Sequence, residues 1–141
     1  MKRAQFDKES LVLVTSELLK VLKSLDDIID INKNEKGSIE DGFKLEFTKF
    51  IKLLGKYMSK CLVTISEPYN ENLYSVSIDK SVDAGFLPEI SEDFYGYLKS
   101  FRHCEESIKN VPYDELYKFY VNNHYSIIKL YDHMIEFTNK L

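Results

Sequence analysis

Apolar residues recur along this chain at three- and four-residue steps, and polar stretches mark where one such run gives way to the next. Over residues 8–31, Leu11, Val14, Leu18, Leu22, Leu25 and Ile29 fall on one face of an α-helix. Val12, Leu19 and Val21 widen that stripe, which predicts burial on more than one side. Asp7 stands where a carboxylate accepts from the open amides of a first turn. The run NKNEKGS at 32–38 is a loop by composition. A second helix is predicted from about Ser38 to Leu62, with Ser38 and Asp41 spaced as a weak capping box. Phe43, Phe47, Phe50, Ile51, Leu54, Met58 and Cys61 share its inner face, while Lys44, Lys49, Lys52, Lys56 and Lys60 read as a solvated side. Gly55 costs about 1 kcal/mol relative to Ala inside a helix. It marks either a close approach by another group or a tolerated surface position.

Pro68 and the asparagines of 63–73 end this helix. A short helix from about Leu73 to Ala84 follows, with Val76, Ile78 and Val82 as its apolar positions. Alternation over LYSVSI at 73–78 also fits a strand, but no partner strand is evident. Gly85 is placed as the left-handed residue after the helix, with Pro88 just beyond. A fourth helix opens at Ser91, with Glu92 and Asp93 favourable in its first turn. Phe94, Leu98 and Phe101 face inward, Tyr95 and Tyr97 flank them, and the helix is expected to reach about Cys104. The polar stretch Glu105 to Val111 is expected to break it. Asn110 is expected to cap a long last helix over about 112–140, with Pro112 near its first turn. Leu116, Tyr120, Ile127, Ile128, Tyr131, Met134, Ile135 and Phe137 are its apolar positions. The pattern predicts an all-α fold: an up-and-down antiparallel four-helix bundle with one additional short helix, as one domain over 1–141.

Composition narrows the functional classes. A chain of 141 residues buries roughly 70% of its unfolded surface and needs no staples. The net charge of −4 excludes a global basic field for nucleic acid, though not a local basic patch. Cys61 and Cys104 match no metal spacing, and Cys61 sits within an apolar stretch as a small core residue. No motif calls for a metal or a cofactor: serine-hydrolase elbows, phosphate-binding glycine loops and zinc knuckles are all missing. The polar start MKRAQFDKES and the short apolar runs predict no membrane span, and a cytoplasmic protein with reduced thiols.

Residues 82–114 carry the polar groups that suggest more than packing. Arg102 and His103 are adjacent, so on a helix they point about 100° apart. Their plainest reading is a surface Arg paired with Glu105 or Glu106 beside a partly buried His. His124 and His133 lie on different faces of the last helix. Tyr113, Tyr117, Tyr120, Tyr125 and Tyr131 are core or interface residues, and a Tyr-rich helix suits a homodimer interface.

Several of these stretches together resemble one family, the nucleotidyltransferase substrate-binding proteins of the HEPN superfamily. The likeness covers about 40–141. It rests on Asp41-Gly42 ahead of Phe43 and Phe47, and on Ala84-Gly85-Phe86-Leu87 closing the short helix. It continues through Phe94 or Tyr95, Leu98-Lys99 and Arg102, and through Tyr113-Asp114-Glu115 opening the last helix. The resemblance implies a dimerising helical bundle that partners a minimal nucleotidyltransferase, in a toxin–antitoxin-like module or a split enzyme. It implies a non-catalytic subunit offering a nucleotide or other anionic substrate a cleft lined by Lys99, Arg102, His103 and Ser107. RNase-active HEPN proteins have an Arg and, a few residues later, a His that would assist proton transfer at the ribose hydroxyl. Ser107 stands here at that His position, and no His falls within 106–109. The alternatives are a metal-independent RNase using Arg102 and His103, which would bind RNA, and a helical protein-interaction module.

Overall fold

The apolar periodicity translates directly into helices. A computed structural model describes residues 6–31, 38–65, 67, 74–101 and 104–141. Among these residues there is no strand. The elements are α1 (Lys8–Ile31), α2 (Ser38–Thr64), α3 (Tyr74–Asp83), α4 (Glu92–Lys99), α5 (Cys104–Lys109), α6 (Tyr113–Asn122) and α7 (His124–Asn139). The predicted loop at 32–37 and the break at Pro68 lie outside the described residues.

The Asp7 carboxylate accepts from the Ser10 amide at 3.1 Å and closes the start of α1. Leu11, Val14, Leu18, Leu22 and Leu25 are buried. The wider stripe holds at Val21, which is buried, but Val12 lies 40% exposed. In α2 all seven predicted inward residues are buried, and so is Gly55, which accords with a close approach rather than a surface position. α1 and α2 run antiparallel. Leu11 shares one groove with Ser59 and Val63, whereas Lys20, Val21 and Ser24 share another, of about 410 Å³, with Glu46, Lys49 and Leu53.

Residues 74–83 are helical, so the strand alternative fails. The end of α3 explains why. Phe86 N–H bonds the Ser81 carbonyl at 2.9 Å and Gly85 N–H the Val82 carbonyl at 3.1 Å, with Gly85 at φ 86°. This pair of bonds around a left-handed residue satisfies carbonyls that a helix end leaves open. Phe86 and Leu87 then turn into the core.

Five expectations need correction in the second half. First, α4 stops at Lys99 instead of Cys104. Ser100 N–H bonds Tyr97 O and Phe101 N–H bonds Leu98 O, tightening the turn, and this turn delivers Phe101 against Phe47 at a centroid distance of 5.7 Å. Second, the polar stretch expected to break the helix contains α5, whose Ile108 is fully buried and anchors the segment on α2. Third, the last helix is interrupted at Asn123, with φ −112° and ψ 18°. The Phe119 carbonyl there accepts twice, from the Asn123 side-chain amide at 2.9 Å and from the Asn123 backbone N–H at 3.0 Å. Pro112, not Asn110, occupies the cap position of α6. Ile128, expected inside, is 36% exposed.

The core is rich in rings. Phe47 meets Phe50, Phe101 and Phe119, and Phe119 stacks on Phe94 and Tyr97, tying α2, α4 and α6 together. At the other end Phe6, Phe86 and Phe137 pack edge to face. Tyr57 reaches across to the Met134 carbonyl at 3.3 Å, joining α2 to α7.

Candidate functional site

The predicted site spans the corner from α4 to α5. The Ser91 hydroxyl accepts from the Phe94 amide at 3.4 Å and starts α4. The Tyr95 hydroxyl donates to the Pro88 carbonyl, fixing the helix against the turn that follows α3. At the far end, Lys99 Nζ lies 2.6 Å from Asp79 Oδ1, with its side chain only 20% exposed. Lys99 is therefore turned towards α3, and its charge is engaged. Ser107 is half-buried on α5, which packs on α2 and is tied at its end by Lys44 Nζ donating to the Lys109 carbonyl at 3.3 Å. Arg102 and His103, between these two residues in sequence, lie outside the described residues.

Two buried hydroxyls lie on the helices to either side, α4 and α6. The Tyr97 ring stacks on Phe119 at 4.2 Å and meets Phe101 at 5.3 Å. Its hydroxyl finds no hydrogen-bond acceptor of good geometry among the described residues. Burial pushes that phenol up to about 12, and the Glu115 carboxylate, near enough to act electrostatically, adds to the rise. The Tyr113 hydroxyl is also buried without a partner among the described residues. Its pKa is raised by burial first, then by Tyr117, Glu40 and Asp114. The residue pattern read both tyrosines as packing groups, and nothing local in it marks an unpaired hydroxyl.

A second constellation joins α1 to the α6–α7 junction. The Tyr120 hydroxyl donates to Asp26 Oδ1 at 2.6 Å and lies 3.4 Å from the Leu22 carbonyl. His124 Nε2 lies 3.1 Å from the same carboxylate oxygen. With Nε2–H donating, Nδ1 is left as the imidazole's basic nitrogen. Burial and the Asp26 carboxylate both hold the Tyr120 hydroxyl above its usual range. Chemically this is an oriented imidazole and a structural clamp. His133 is separate, its Nε2 lying 2.9 Å from the Gly85 carbonyl and tying α7 to the turn after α3.

Among the described residues no group of three His, Cys, Asp or Glu side chains is placed to hold a metal ion. No described helix is long and apolar enough to cross a membrane. No family model, curated protein or solved structure matches the chain.

Proposed function

We propose that this chain is a non-catalytic substrate-binding subunit that pairs with a minimal nucleotidyltransferase and acts as a homodimer. Its helices would form an up-and-down four-helix bundle, α3 being the additional short helix. The corner between α4 and α5 would receive a nucleotide or another anionic substrate. The observation that supports this reading is the placing of the resembling residues. Gly85 closes α3 in the left-handed conformation, Asp41-Gly42 opens α2 ahead of buried Phe43 and Phe47, and Tyr113-Asp114-Glu115 opens α6. In this reading Arg102 carries the main charge contact, because Lys99 is already engaged by Asp79. Ser107 at the position of the RNase histidine argues against metal-independent RNA cleavage by Arg102 and His103.

Co-expression with a minimal nucleotidyltransferase, followed by light scattering and nucleotide titration calorimetry, tests the proposal. A stable complex whose nucleotide affinity falls in Arg102→Ala is expected. No complex and no nucleotide binding would overturn it. RNA cleavage abolished by Arg102→Ala would favour the RNase alternative, and binding of unrelated protein partners untouched by Arg102→Ala would favour the interaction module.

A further inference from the structure

The side of α6 and α7 turned away from the core carries an apolar stripe that no described element covers. Val121 is 43%, Tyr125 82% and Ile128 36% exposed. The stripe passes the interruption at Asn123 without losing phase. Leu116 and Tyr120 before it and Ile127, Leu130 and Met134 after it are buried, and the step from Tyr120 to Ile127 is seven residues, about two turns, so the outward positions stay aligned as well. Two charged residues bracket the stripe. Lys118 stands seven positions before Tyr125 and Asp132 seven positions after, both exposed. Seven residues are about two helical turns, which places both on the side of Tyr125, roughly 10 Å away in either direction. Neither makes a salt bridge among the described residues.

We propose that a second copy of the chain docks antiparallel on this face, with a two-fold axis at Tyr125. About such an axis, residues equally far before and after Tyr125 meet. The two Tyr125 rings would pack on each other at the centre, and Val121 would lie under the stem of Lys129 of the second copy. Lys118 would face Asp132 of the second copy, and the reciprocal pair forms on the other side. At the outer edge Asp114 faces Glu136, whose charge is already engaged by Lys140 at 3.0 Å. A parallel arrangement would instead set Lys118 against Lys118, and a partner of single-sign charge would satisfy only one of the two ends. The charges therefore select another copy of this chain. The three apolar side chains fall short of the roughly 800 Å² per partner of a standard interface, so a weak dimer with a polar rim is expected.

The proposal deepens the homodimer reading above and rests on it for stoichiometry. Sedimentation equilibrium over a range of concentrations tests it on the full chain. Lys118→Glu alone and Asp132→Lys alone each place like charges together and should weaken association roughly tenfold or more. The double variant Lys118→Glu/Asp132→Lys should return close to the wild-type constant, because the pairs are restored with reversed sign. Tyr125→Ala should weaken association too, and circular dichroism of each variant checks that the exposed substitutions leave the helices intact. A wild-type dimer insensitive to all four variants would overturn this face while leaving the homodimer standing. A double variant as weak as the singles would overturn the pairing. A monomeric wild type would overturn both dimer claims, while capture of the nucleotidyltransferase is scored separately by co-purification.

Discussion

Buried phenols should make this fold collapse at high pH. Tyr57, Tyr95 and Tyr120 are 0%, 6% and 1% exposed, and burial holds each hydroxyl well above its usual range. The Cys61 thiol is pushed up to about 12 by burial, against a smaller lowering by its hydrogen bond with Tyr57. In the unfolded chain phenols ionise near 10 and thiols near 8.5. The unfolded state therefore sheds protons that the folded state keeps, and stability falls as pH rises through that window. Below about pH 8.5 none of this contribution is lost. Each group costs about 1.4 kcal/mol per pH unit between its unfolded and folded values. The three phenols together set an upper limit of about 4 kcal/mol per unit above pH 10, before any relief from water entering the core. Cys61 adds about 2 kcal/mol between pH 8.5 and 10. Against a domain stability of about 5–15 kcal/mol, unfolding is expected roughly one to three units above pH 10. The chain has ten Tyr and no Trp, so tyrosinate absorbance in the near ultraviolet is unobscured. Two phases are expected, the second coinciding with loss of helical circular dichroism. A single smooth titration of all the tyrosines near pH 10, with helicity intact, would refute the reasoning.

Other perturbations follow from single contacts. Gly85→Ala places a side chain at φ +86°, where nothing lies within 4 Å of the new Cβ. Its cost is conformational, about 1–2 kcal/mol in denaturant titration, and an unchanged midpoint would contradict the left-handed turn. Tyr120→Phe and His124→Ala remove two donors from one Asp26 oxygen. Their double-mutant cycle should show coupling of about 0.5–1 kcal/mol, and strict additivity would mean that the carboxylate is not shared. Asp79→Asn releases Lys99, with a stability change below about 1 kcal/mol because Asp79 is mostly exposed. Calorimetry with a nucleotide should then show tighter binding, and no gain would exclude Lys99 from the ligand corner.

The helices that bury a continuous stripe were legible from residue spacing. Leu11 to Leu25 and Phe43 to Cys61 are both long enough for the period to define the face. The short α5 was not legible, since Ile108, the one buried side chain among its described residues, shows no period. The Asn123 interruption is a departure of one residue's backbone angles inside an apolar pattern that continues on both sides, and residue spacing does not reveal it. At the candidate site, Lys99 and Ser107 were placed in a cleft only by what the family resemblance implies, yet the partner of Lys99 is Asp79, twenty residues earlier on α3. Arg102 and His103 lie outside the described residues, so their part of the reading stands on the residue pattern alone. The Asp26–His124 contact joins groups 98 positions apart, and local spacing carries no trace of it.

The first helix finds several of its partners at the far end of the chain. Tyr120 reaches Leu22 and Asp26 across 98 and 94 positions, and the Phe6 ring meets Phe137 at 5.5 Å. During synthesis α2 can cover one side of α1 soon after both emerge. The side that α7 covers must wait for about a hundred further residues, roughly 5–20 s at ordinary elongation rates. Until then the α7-facing flank of α1 lacks the partner it has in the finished fold, and the wait is set by the ribosome rather than by the microsecond collapse of the chain. Nascent-chain chaperones that read apolar helices therefore have their opening on this protein early, at α1, long before the segment that finally closes the fold exists.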